Sequence, residues 1–86
     1  MIYFATSRQS YDQLAASSVW PPAVLWVSLG VLDSSELADL RAKGLAVTDF
    51  TNPINSNDLV AMTGALDTIR EHHPGQAVWV DGSVAA

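Results

Sequence analysis

Four apolar runs alternate with three helix-like stretches along these 86 residues. That alternation constrains the fold more than any single motif does. Residues 2–5, 23–31, 45–50 and 77–80 are rich in Val, Ile, Leu and aromatic side chains, which suit a pleated, half-buried surface. They are nearly continuous rather than strictly alternating, the pattern of strands covered on both faces. The expected order is β-α-β-α-β-α-β with short connections. It predicts an α/β fold: a small open sheet of about four mostly parallel strands, joined by right-handed crossovers, with helices on both faces. Among doubly wound arrangements, strand order 2-1-3-4 is expected. Residues 1–86 read as a single domain, with residues 82–86 as a flexible tail.

Local signals punctuate the helices. Ser10 followed by Gln13 reads as a capping box for the first helix, which stops before the Pro21–Pro22 pair. Asp33 and Glu36 repeat that signature for the second, and Gly44 is expected to end it in a left-handed conformation. The third helix is expected over residues 56–72, with Asn55 as cap and Asp58 near the third position. Leu59, Met62, Leu66, Ile69 and His73 recur on one face of it, and Gly64 is expected to allow close packing.

Composition removes several function classes. A chain this short buries only roughly 60% of its unfolded surface, so partners are a common remedy for thin stability. There is no cysteine, hence no disulfide, thiolate metal site or cysteine nucleophile. The net charge is −5, and the four bases Arg8, Arg41, Lys43 and Arg70 are scattered. Nucleic-acid binding needs clustered cations, so no nucleic-acid partner is expected. The longest apolar stretch is about half of what a bilayer span requires, and the first residues lack the charged and apolar regions of a signal peptide. No membrane partner is expected, and the expected location is cytoplasmic.

In an open parallel sheet, ligands bind outside the carboxyl ends of the strands. That rule gathers Thr6, Ser7, Arg8, Asp49, Asn52 and Asp81 as candidate ligand-binding residues. Hydroxyls, a helix start and Arg8 are compatible with a small anionic ligand. Asp49 and Asp81, ending strands expected to be adjacent, have the chemistry to hold Mg²⁺ or share a proton, but with no third acidic ligand placed beside them they read as strand-end carboxylates accepting loop N–H groups. His72 and His73 fall at the opposite edge, which argues against a Ser-His-Asp constellation. As adjacent helical residues they also diverge too far to share a metal. No GxGxxG or GxxxxGK[ST] motif is present, and no cofactor or metal is expected.

Order 2-1-3-4 would leave one face of the third and fourth strands bare. Trp79, with Phe50 or Val47, is expected on that face as the centre of an interface. Together these features point to a small non-enzymatic interaction module: a regulator, inhibitor or subunit acting through a protein-binding surface, on a protein partner or as a homodimer. The alternative reading is a small-ligand or phosphate-binding domain with its site at the carboxyl ends of the strands.

Overall fold

A computed structural model describes residues 1–84. Its elements are β1 (Ile2–Ala5), α1 (Arg8–Ala15), β2 (Val24–Val27), α2 (Ser34–Ala42), β3 (Ala46–Asp49), α3 (Leu59–His72), β4 (Val78–Val80) and β5 (Ser83–Val84). The alternating α/β fold with four parallel strands is the expected one.

Strand order departs from expectation. It is β3-β2-β1-β4-β5, with β5 antiparallel at the edge. β1 through β3 step in one direction across the sheet, so right-handed crossovers place both α1 and α2 on one face. The third crossover returns past β2 and β1 to reach β4, and α3 lies on the other face. Burial records this division. Tyr3, Ala5, Leu25, Val27 and Val47 pack with Leu14 of α1 and with Leu37 and Leu40 of α2. Ile2, Phe4, Trp26 and Val78 pack with Ala65 and Ile69 of α3. All four residues of β1 are buried, as befits the strand with helices on both sides.

The caps hold the helices in register with the sheet. α1 begins one turn earlier than Ser10 suggests. Ser7 is the cap and Ser10 occupies its third position, each side chain accepting the other's backbone N–H. α2 begins at Asp33 with Glu36 closing the box, as its sequence predicts, and Gly44 follows with φ +89°. α3 starts at Leu59, three residues later than expected, because Asp58 rather than Asn55 accepts the first free N–H groups, those of Val60 and Ala61. Its inward face centres on Ala65 and Ile69, with Met62 and Leu66 partly buried, while Leu59 in the first turn is 80% exposed. Gly64 has nothing within 4 Å of where a Cβ would sit, so it serves no close approach.

Part of the expected tail is ordered structure. Asp81 and Gly82 have φ of +47° and +89°, between the paired residues Val80 and Ser83. Two consecutive positive φ values in a two-residue loop are what the tight I′ hairpin demands, and Asp-Gly is among its preferred sequences. β5 therefore lies beside β4 in the sheet rather than over its face; residues 85–86 of the expected tail lie outside the described residues.

Candidate functional site

The polar residues of the carboxyl edge separate into two groups because β3 and β4 lie at opposite sides of the sheet. Thr6, Ser7 and Asp81 converge where β1 meets β4. Asp49 ends β3, beyond β2, with the Arg41 guanidinium 3.7 Å from its Oδ1. Asn52 lies past β3, its carbonyl accepting the Leu29 N–H at 3.3 Å. Asp49 and Asp81 therefore do not share a site, as the expected neighbouring strands would have required. Arg8 is also turned away. Its guanidinium binds Glu36 of α2 at 2.7 and 2.8 Å and Asp12 at 3.1 Å. Those two carboxylates, Glu36 first, raise its pKa further.

Asp81 joins the β4–β5 turn to the end of β1. Its Oδ1 accepts the Thr6 N–H at 2.9 Å and its Oδ2 the Thr6 hydroxyl at 2.5 Å, while its own N–H donates to the Phe4 carbonyl at 3.1 Å. Beneath the turn, burial and then the Asp81 charge raise the Tyr3 pKa, against a smaller lowering from the Gly82 backbone hydrogen bond.

An open cleft of about 410 Å³ lies above this junction, lined by Thr6, Ser7, Gln9, Gln13, Asn55 and Asp81, with Ser10, Ile54 and Ser56 completing it. Gln9 and Gln13 are one helical turn apart on α1 and so share a face. The 50–58 loop forms the far wall and is pinned to the sheet. Buried Ser28 accepts the Ile54 N–H at 2.7 Å. The cleft lies between β1 and β4, where strand order turns back and the flanking crossovers run on opposite faces. That is the switch point at which open α/β sheets offer a crevice. Gln9 falls at the carboxyl edge by the same strand-end rule, whereas Gln13 and Ser56 were not singled out as site residues from the sequence; the signal that could have found Gln13 is its i, i+4 spacing from Gln9 just after a strand end.

A second depression, about 340 Å³ and mainly apolar, opens beside β4 between Met1, Tyr3, Leu14, Val19 and Trp79, and Gln13 borders it as well. Trp79 is 38% exposed. It points to the α1 and α2 face, but both helices lie toward β3, so among the described residues β4 is left uncovered there. Phe50 and Val47 do not join it. Phe50 packs on the opposite face against Phe4 and Trp26, with ring centroids 5.4 and 5.2 Å away. Val47 is buried on β3 with the α2 cluster, three strand spacings from β4, or roughly 14 Å.

His72 and His73 cap the far end of α3 and stand beside the buried Trp26 ring, at centroid distances of 5.5 and 6.2 Å. Among the described residues, no group of three or more His, Asp or Glu side chains is placed to hold a metal ion. No described helix is long and apolar enough to cross a membrane. Comparison of the chain with protein-family models, with curated proteins and with solved structures gives no match.

Proposed function

We propose that this protein is a non-enzymatic interaction module that associates with a second copy of itself through the β4–β5 side of its sheet. The observation that carries this reading is Trp79, a large aromatic left 38% exposed in an apolar depression that no helix covers. Tryptophan is a preferred residue for the centre of an interface. The choice of a second copy rests on the two sheet edges. At the β3 edge, Arg41 donates to the Val47 carbonyl at 3.0 and 3.2 Å and Asp49 adds a charge, devices that discourage strand pairing. At the β5 edge, Ser83 brings neither charge nor proline, and among the described residues only the shortness of the strand limits pairing there. A two-fold axis beside β5 would pair it antiparallel with its symmetry mate and set the two Trp79 side chains on the same side of a continuous sheet, three strand spacings or roughly 14 Å apart, where each ring covers part of the other's apolar depression.

Sedimentation equilibrium tests this. Wild type is expected at twice the 9.2 kDa chain mass in the micromolar range, and Trp79→Ser at the monomer mass with unchanged far-ultraviolet circular dichroism. A wild type that stays monomeric up to about 1 mM would overturn it. A second reading, favoured by the cleft at the β1–β4 switch point, is a small-ligand site at the carboxyl edge of the sheet.

A further inference from the structure

We propose that the cleft between α1, the 50–58 loop and the β4–β5 turn binds an uncharged, hydroxyl-rich ligand carrying vicinal hydroxyls, and not a phosphate. The inference rests on the carboxyl-edge reading of the cleft and names the chemistry of its occupant. At about 410 Å³ the cleft is large enough for a monosaccharide or a nucleoside.

The lining decides the class. Thr6, Ser7, Ser10 and Ser56 offer hydroxyls, and Gln9, Gln13 and Asn55 offer carboxamides. Among the described residues, Asp81 supplies the one charge and no Lys, Arg or His borders the cleft. An anion entering here would meet a carboxylate with no cation to offset it. Arg8, which lies between the lining residues Ser7 and Gln9 in the chain, is engaged by Glu36 and Asp12. At the start of α1, Ser7 and Ser10 already satisfy each other's N–H groups, which leaves an anion only the Arg8 and Gln9 N–H groups there, with no cation behind them. A hydroxyl, by contrast, both donates and accepts, and a carboxamide does the same. Among the described residues, the Gln9 and Gln13 carboxamides have no hydrogen-bond partner within the protein. Asp81 spends one lone pair of each oxygen on Thr6 and keeps a second on each for a ligand hydroxyl. A carboxylate and two carboxamides lining one cleft can take neighbouring hydroxyls as a pair, each donating to Asp81 and accepting from a glutamine.

Vicinal hydroxyls occur both in free sugars and in the ribose of nucleosides, and titration separates the two. The probes are D-ribose, adenosine and inorganic phosphate, each followed by 15N–1H correlation spectra of the full chain. The expected result is saturable shifts of the Ser7–Ser10 and Asn55 backbone amides and the Gln13 side-chain amide with ribose or adenosine, and none with phosphate. Comparable affinities would assign a free sugar, and at least tenfold tighter adenosine a nucleoside. Affinity should fall about tenfold in Gln13→Ala and in Gln9→Ala, both exposed positions whose folding the same spectra report. Shifts with phosphate alone would overturn the hydroxyl class while leaving the carboxyl-edge site standing. No cleft shift with any probe at about 20 mM would overturn both.

Discussion

At the scale of single residues, the end of β1 depends on one carboxylate. Asp81 satisfies both the N–H and the hydroxyl of half-buried Thr6. Asp81→Ala would leave two polar groups without partners, at a cost of about 1–3 kcal/mol. Asp81→Asn keeps an acceptor and tolerates the positive φ of the turn, so its urea midpoint should fall between those of Asp81→Ala and wild type. Tyr3, beneath the same turn, makes stability depend on alkaline pH. Burial first, and then the Asp81 charge, raise its pKa above the ordinary 10.0, so the folded state holds the phenolic proton more tightly than the unfolded chain. Stability is therefore undiminished below pH 10 and declines as pH rises from there through the folded value. Tyr11 is shifted the same way, chiefly by burial. Removing one contributor with Tyr3→Phe should give a shallower loss of the urea midpoint between about pH 9 and 11; an unchanged slope would contradict the assignment. Asp81 was legible as a strand-end carboxylate from its position after an apolar run. The engagement of Arg8 was not, because its partner Glu36 comes from another helix, 28 residues along the chain.

At the scale of elements, α3 carries a correctable weakness. Gly64 sits in the helix interior with open space where its Cβ would be. Alanine there reduces the conformational freedom of the unfolded chain and meets nothing in the folded one. Gly64→Ala should add about 0.5–1 kcal/mol, raising the melting temperature by roughly 2–8 °C for a domain of this size. A decrease would mean that the glycine is needed for an approach the structure does not show. Helices and strands were legible because caps and apolar runs are local signals. Strand order was not, since 2-1-3-4 and 3-2-1-4 both satisfy short connections and right-handed crossovers. Two clues favour the observed order once their meaning is known. The link across residues 50–77 is 28 residues long, against 18 each for residues 6–23 and 28–45, so the third crossover has reach to spare for passing two strands. β3, with exposed Ala46 and Thr48 alternating with Val47, has the pattern of an edge rather than a centre. The Asp-Gly turn between Val80 and Ser83 was also a hairpin signal, hidden because β5 has only two residues.

At the scale of the whole molecule, size and the uncovered β4 face act together. A domain of 86 residues holds a narrow margin of stability, so surface removed from water by association adds a large fraction to it. Trp79 exposes 38% of its surface, roughly 90 Å² for a side chain of this size. Its full burial would contribute at most about 2 kcal/mol per protomer at about 25 cal/mol per Å². Met1 and Val19, at 42% and 53% exposed, border the same depression and enlarge the term. If folding and self-association are coupled in this way, the melting temperature depends on protein concentration, because dilution removes the partner that stabilises the fold. The wild-type melting temperature should therefore rise by several degrees between about 1 and 100 μM, whereas Trp79→Ser should melt lower and at one temperature throughout. Differential scanning calorimetry across that range checks both halves. A concentration-independent wild type would show that the β4 face is tolerated in water by the monomer, and would remove the thermodynamic reason for a second copy to cover it.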